Sequence, residues 1–434
     1  MNNKAGYNKN KNHKNCYNNS NNNRSNNRNN NNKTNNNKTN NNRTNNYKTN
    51  SYNNTNICPV AKKCGGCQYI GMDYEKTLLL KQKHIENLLG EFGGVDKIIS
   101  MDNPYNYRNK VCATFHHRGK GDIISGIYQE GTHKVIPIDN CFIEDKKADE
   151  IIVSIRSMLK SFKITVYNED TGYGLLRHVL VRTARSTNQI MVILVTSGIV
   201  FPSKKNFAKA LKSRHPEITT IIQNINPDDT TMVLGKRNET IYGRGYIEDI
   251  LCGKRFRLSP NSFYQVNPAQ TEKLYSLVMK YAGLTGKETV IDAYCGIGTI
   301  GIVASDSAAS VLGVELNKDA VHDAINNARL NSCSNIKFIA NDAGKYMVEM
   351  ANAGQHADIV FMDPPRSGST NEFIDALHKL APLRIVYISC GPESLKRDLL
   401  YFRKKNVYKI KKICPVDMFA FTREIETCVL LSRI

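Results

Sequence analysis

From residue 288 onward the chain repeats one unit: an apolar, β-branched run, a polar or glycine-rich turn, then a stretch with helical periodicity. ETVIDAYCGIGTIGIVAS, SVLGVELNKDAVHDAINNARLN, IKFIANDAGKYM, ADIVFMDPPRSG and RIVYISCGPES each place such a run ahead of the turn. Strands that are apolar on both faces lie between two layers, and strands separated by helical stretches pair in parallel through crossover connections. The repeat therefore predicts an α/β, Rossmann-like sheet, whose ligands bind beyond the carboxyl ends of its strands. Asp292, Glu315, Asp363 and Cys390 all stand at such ends, so the pattern places them along one edge of the sheet.

The first turn reads Gly296-x-Gly298-x-x-Gly301. By itself this spacing says only that the backbone comes close to a ligand at a strand-to-helix turn, as in dinucleotide sites. Asp292 and Tyr294 stand ahead of the glycines and Glu315 ends the next strand. Two groups of that kind suit a ligand carrying an ammonium and a sulfonium, with Glu315 placed to accept from ribose hydroxyls. S-adenosylmethionine meets those demands better than NAD. Asn341-Asp342 closes the third strand, either beside the adenine or as a cap for the helix that Ala343-Gly344-Lys345 begins. In Asp363-Pro364-Pro365-Arg366 the prolines fix φ and stiffen the loop that presents Asp363.

Ahead of this region the pattern differs. Residues 1–56 hold 29 asparagines, ten Lys and Arg and no Asp or Glu, a composition that predicts a disordered basic tail. From Ile57 a cysteine cluster leads into a helix with Leu78, Leu79, Ile85, Leu88 and Leu89 near helical spacing, ended by Gly93-Gly94. Between about 102 and 258, short alternating segments such as KVCATFHHR and QIMVILVTS are interspersed with two helical stretches. These predict an α+β central domain on an antiparallel sheet. The net charge is +21; removing the tail's +10 leaves +11, an excess suited to a phosphate-rich partner. No apolar run approaches the length of a membrane span, and no signal core is present, so a cytoplasmic location without membrane contact is expected.

In a reducing compartment, cysteines act as thiols, metal ligands or catalysts. Cys58-x5-Cys64-x2-Cys67 is dense enough to ligate a metal, and zinc and an iron–sulfur cluster both accept thiolates. Cys112, Cys252, Cys295, Cys333, Cys414 and Cys428 read as packing. Cys390 follows a strand and precedes Gly391-Pro392, where a helix N-terminus favours the thiolate. Glu426 enters the apolar strand of Val429, Leu430 and Leu431, where loss of water raises a carboxylate toward the range of a useful base.

Taken in order, SFYQVN, DAYCGIGTIG, GVELNKDAV, FMDPPRSG, YISCGPESLKRD and DMFAFTREIET closely resemble the uracil-5 RNA methyltransferases, from Ile57 to Ile434. The resemblance implies that Gln265, Tyr294, Gly296, Gly298, Glu315 and Asp363 hold S-adenosylmethionine, that Cys390 is the nucleophile and that Glu426 is the general base. In that chemistry a thiolate adds to uracil carbon 6, carbon 5 takes the methyl group, and a base removes the carbon 5 proton before the thiolate leaves. The family often has His where Glu424 stands, Pro-His at Ala420-Phe421, and Asn-Pro-x-Thr at Gly391-Pro392-Glu393-Ser394.

As the resemblance further implies, Cys141 of IDNCFIED joins Cys58, Cys64 and Cys67 around a 4Fe-4S cluster, as in ribosomal RNA members; tRNA members lack these cysteines. That favours 23S rRNA as substrate, with no DNA or membrane partner and a monomeric enzyme. Residues 57–69 and 102–258 then form the cluster-bearing central domain, and 70–101 and 259–434 the catalytic domain. RNA affinity is expected from Arg177, His178, Arg182 and Arg185 after the Gly172–Gly174 turn. A tRNA methyltransferase, an NAD-dependent oxidoreductase and a non-catalytic RNA-binding protein are the competing readings.

Overall fold

The computed structural model describes residues 58–119 and 121–434; the Asn-rich tail lies outside the described residues. In chain order the strands are β1 (Lys110–His117), β2 (Ile123–Tyr128), β3 (Val135–Pro137), β4 (Leu176–Ala184), β5 (Gln189–Thr196), β6 (Ile218–Ile225), β7 (Arg237–Tyr242), β8 (Ile247–Leu251), β9 (Lys254–Leu258), β10 (Thr289–Ala293), β11 (Ser310–Glu315), β12 (Ile336–Ala340), β13 (Ile359–Met362), β14 (Arg384–Ser389), β15 (Tyr408–Val416) and β16 (Glu426–Arg433). The helices are α1 (Ala61–Cys64), α2 (Tyr74–Leu89), α3 (Lys146–Met158), α4 (Lys204–Arg214), α5 (Pro268–Ala282), α6 (Thr299–Ala304), α7 (Lys318–Leu330), α8 (Ala343–Asn352), α9 (Asn371–Leu380) and α10 (Pro392–Lys405).

The C-terminal strands form a seven-stranded sheet in the order β12-β11-β10-β13-β14-β16-β15. β10 to β14 pair in parallel, as their continuous apolar runs predict, whereas β16 is inserted antiparallel between β14 and β15. The sheet is therefore mixed. Strand order reverses at β10, whose neighbours are β11 and β13, and a crevice opens at such a switch point. Local sequence sets the helix starts on this edge: Asn317 caps α7, Asp342 caps α8 and Thr370 caps α9 through side-chain oxygens.

The central sheet runs β3-β2-β1-β4-β5-β6-β7. It is antiparallel except between β5 and β6, which pair in parallel through the α4 crossover. Alternation within a strand does not report the direction of its neighbour, so the expectation of a wholly antiparallel sheet is corrected here. Every residue of β4 is buried, because the strand is central and covered on both faces. The short β8–β9 hairpin and α5 join the two sheets: Leu180, Met191, Ile247, Phe256, Leu274, Val290 and Val386 belong to one apolar core.

α2 packs on the catalytic sheet rather than on the central one. Leu78, Ile85 and Leu89 share a core with Ile385, Tyr387, Val429 and Leu431, and the chain beyond α2 bridges β15 at Val95↔Ile413 and Ile99↔Val416. Leu79, which the spacing also placed on the apolar face, is 68% exposed.

Candidate active site

Asp292, Glu315, Asp363 and Cys390 do meet at the carboxyl edge of the parallel strands. Between β10 and α6 the backbone passes through three left-handed residues, Tyr294, Gly296 and Gly298. At Gly298 a Cβ would stand 2.7 Å from the Phe338 ring, so both conformation and space require glycine. The turn is fastened by carboxylates. Asp292 Oδ2 accepts from the Gly301 amide at 2.8 Å, and Glu315 accepts from Gly296 at 3.1 Å and from Asn317 at 2.8 Å.

Asp292 is fully buried, and its Oδ1 meets no hydrogen-bond donor among the described residues. Loss of water, aided by Asp363 and Glu315, pushes its carboxyl up to about 7 despite the Gly301 bond. Loss of water likewise pushes Asp363 up to about 7. Tyr294 lies against Phe373 with ring centroids 5.5 Å apart. Gln265 is partly exposed, and its carbonyl accepts from Asn109 at 3.1 Å. Asp342 accepts from Lys345 N at 2.9 Å, which gives it the capping role.

Antiparallel pairing decides what faces Cys390. Ser389 pairs with Thr427 in the β14–β16 ladder, so one step further Cys390, past the end of β14, stands across from Glu426, the first residue of β16. Glu426 is 5% exposed and its Oε2 has no hydrogen-bond partner among the described residues. Burial pushes this carboxyl up to about 8; Asp363 adds to the rise and Arg366 opposes it. The Cys390 thiol is pushed up to about 12, first by burial, then by Glu426 and Asp363, with Arg366 again opposing. This corrects the expectation of a helix-stabilised thiolate. Pro392 does occupy the first turn of α10, but the few unpaired amides there are outweighed by lost water and two nearby carboxylates.

A cavity of about 410 Å³, within the range of small-molecule sites, is lined by Cys390, Gly391, Arg366, Lys81, Glu424 and Ile425 among others. Arg366 and Glu424 form an ion pair in its wall. Two residues before Gln265, Phe263 is 65% exposed between buried Ser262 and Tyr264, an aromatic face of the kind on which an unstacked base can rest. Neither Lys81 nor Phe263 was singled out by the sequence. The available signal for Lys81 was a cation on the stripe of Leu78, Ile85 and Leu89.

Cys58, Cys64, Cys67 and Cys141 line one separate cavity with Val60, Ile70 and Phe142. None is in a disulfide. Burial and mutual repulsion push Cys67 up to about 12, and burial pushes Cys141 up to about 11. Among the described residues no three His, Cys, Asp or Glu side chains stand as the shell of a single metal ion. Cys112, Cys295, Cys414 and Cys428 are buried and Cys252 and Cys333 partly so.

The proposed RNA-facing cations are largely internal. Arg177 pairs with Glu169 and donates to the carbonyls of Asn226 and Asp228; His178 bonds Thr114 Oγ1 at 2.9 Å; Arg182 donates to Ser262. All three are at most 6% exposed. Arg185 is exposed but donates to the Asn106 carbonyl. The physical reason is the position of β4, which has no solvent face.

Known proteins agree with this geometry. The profile of the family described as tRNA (Uracil-5-)-methyltransferase matches residues 73–434. An uncharacterized RNA methyltransferase of Clostridium tetani is 40% identical over 379 residues, covering 86% of this chain and 82% of the relative. Another, of Halalkalibacterium halodurans, is 39% identical over 380 residues, with 86% and 82% covered. Among solved structures, the Pyrococcus abyssi tRNA (uracil-54, C5)-methyltransferase in complex with S-adenosyl-L-homocysteine matches at 26% identity and a TM-score of 0.70, covering 83% of this chain and 84% of that one. With its profile match, its relatives and its sheet topology in accord, the chain belongs to the tRNA (uracil-5-)-methyltransferase family and is an RNA methyltransferase.

Proposed function

We propose that this protein transfers a methyl group from S-adenosylmethionine to carbon 5 of a uridine in RNA, through a covalent adduct of Cys390 at uracil carbon 6. The observation that carries the reading is the placement of Cys390 across from the buried Glu426 at the carboxyl end of the sheet. The Cys390 thiol first gives up its proton to solvent; the thiolate then adds to carbon 6 and sends electrons toward carbon 5, which makes that carbon nucleophilic. Bound S-adenosylmethionine supplies the electrophilic methyl group. Glu426 then takes the carbon 5 proton; that bond's electrons re-form the ring double bond, and the Cys390 sulfur leaves with its own pair. A carboxyl raised to about 8 suits a proton acceptor near neutral pH.

The residues fit the methyl donor. Its ammonium and sulfonium are cationic, and the crevice offers Asp292, with a buried oxygen that has no donor among the described residues, together with Asp363. Glu315 would take the ribose hydroxyls, Tyr294 and the Gly296–Gly298 backbone would line the ligand, and Gln265 would bond its polar end. Phe263 would support the extruded base.

The four-cysteine cavity supports a 4Fe-4S cluster and, with it, 23S rRNA as the substrate. Cys58, Cys64, Cys67 and Cys141 would hold the cluster, which would tie the Cys58–Cys67 segment to the Cys141 loop. The support for this reading is that four thiols, the number such a cluster takes, line one cavity. The name of the Pyrococcus abyssi neighbour favours tRNA instead, and substrate assays separate the two.

Three outcomes are expected. With labelled methyl donor, full-length enzyme should form 5-methyluridine in 23S rRNA and none in tRNA, and Cys390→Ala should abolish it while still binding S-adenosylmethionine. Label in tRNA alone would move the target, and full activity of Cys390→Ala would end the adduct reading. Anaerobically purified protein should be brown, with broad absorbance near about 400 nm; colourless protein with one zinc per chain would contradict the cluster. Finally, a cationic ligand favours ionised carboxylates, so it lowers the pKa of Asp292 and Asp363 from about 7 and drives protons off. Affinity for S-adenosylmethionine should therefore weaken as pH falls below 7, by up to about tenfold per pH unit for each proton released. Calorimetry in buffers of different ionisation enthalpy reads that proton directly, and binding with no proton release would contradict the assignment.

A further inference from the structure

Lys81 is a cation on the apolar face of α2, 2% exposed. Its ammonium uses all three donors: to Asp417 Oδ1 at 2.6 Å, to the Phe419 carbonyl at 3.0 Å and to the Glu424 carbonyl at 2.8 Å. Asp417 is fully buried, and its other oxygen accepts from the Tyr74 hydroxyl at 2.7 Å; that hydroxyl accepts in turn from Met101 N at 2.9 Å. These acceptors are the two ends of a single loop. Asp417 follows the last residue of β15, and Glu424 stands two residues before Glu426 opens β16. Between them Phe421 holds a left-handed backbone at φ 62° while 1% exposed, its ring against Tyr74 and Tyr105. A bulky side chain in that conformation persists only where its surroundings hold it. Lys81 also lines the cavity that Cys390 lines.

We infer that Lys81 is a positioning residue for proton removal: by gripping both ends of the β15–β16 loop it keeps the Glu426 carboxylate across from Cys390. The inference rests on the reading of Glu426 as the base. An ammonium is suited to this because it satisfies three acceptors at once, two of them loop carbonyls; the Phe419 carbonyl also accepts from the Thr422 hydroxyl at 2.8 Å, so the Glu424 carbonyl and Asp417 are the ends that Lys81 ties together. The grip belongs to the last step of the reaction. Cys390 lies across the ladder from Glu426, on the β14–α10 connection and outside the β15–β16 loop. Attack and methylation should therefore outlast loss of the grip, whereas removal of the carbon 5 proton should not. A misplacement of about 1 Å can slow a step about a hundredfold.

The test compares Lys81→Met, the charge-balanced pair Lys81→Met with Asp417→Asn, and Glu426→Gln in full-length protein. Lys81→Met alone leaves Asp417 buried and uncompensated and can fail to fold, so the balanced pair decides. Folding is read by thermal unfolding and by binding of S-adenosylmethionine. In a single turnover with RNA, the balanced pair should methylate within about threefold of the unaltered enzyme yet release RNA about ten- to hundredfold more slowly. Enzyme–RNA complex that survives denaturing electrophoresis should then accumulate, as it should for Glu426→Gln. Release at the unaltered rate, methylation lost without adduct, or failure of the balanced pair to fold would each overturn the role of Lys81. If Glu426→Gln itself accumulates no adduct, the base assignment falls, and the positioning role falls with it; adduct from Glu426→Gln but not from the balanced pair removes Lys81 alone.

Discussion

The antiparallel insertion of β16 beside β14 is the constraint on which the site depends. A wholly parallel sheet would send the chain away from its carboxyl edge after each strand, and the residue that opens a strand would then lie at the opposite edge. Because β16 runs the other way, its first residue reaches the edge where Cys390 sits, and the Ser389↔Thr427 pair fixes the register to one residue. A slip by one would turn Glu426 to the other face of the sheet. Val429 and Leu431 on one face of β16 and Cys428 on the other are fully buried, so apolar burial on both faces holds that register.

The register buries the Glu426 carboxyl, as β10 buries that of Asp292, and Asp363 stands partly exposed beside them. All three are raised by burial, and Asp292 and Glu426 further by Asp363, with Arg366 the cation that opposes the rise at Glu426 and Cys390. Burying several acids together costs free energy that a cationic ligand recovers. The pocket is thus organised for a positively charged partner, and Arg366 is itself paired with Glu424 at the cavity wall.

The catalytic half was legible because its signals are local. Each apolar run ended in a residue type with chemistry, and parallel pairing alone brings such ends together. Asp292, Glu315, Asp363 and Cys390 could thus be placed on one edge without knowledge of their contacts. Contacts made far along the chain were not legible. Arg177, His178 and Arg182 looked like a solvated face, since sequence does not show that β4 is covered on both sides. The ionisation of Cys390 was misjudged for the same reason: Pro392 is adjacent in sequence, whereas Glu426 and Asp363 come from other strands. Lys81 meets Asp417 across 336 residues, and only its place on an apolar stripe hinted at a buried partner.

The most direct test is to map the covalent bond. Glu426→Gln should be incubated with RNA and methyl donor, the denatured complex digested with nuclease and protease, and the cross-linked peptide sequenced by mass spectrometry. The account predicts a single peptide modified at Cys390, carrying a uridine nucleotide heavier by one methyl group, and no cross-link when either RNA or donor is withheld. A cross-link at Cys295, or modified RNA released with no peptide attached, would contradict it.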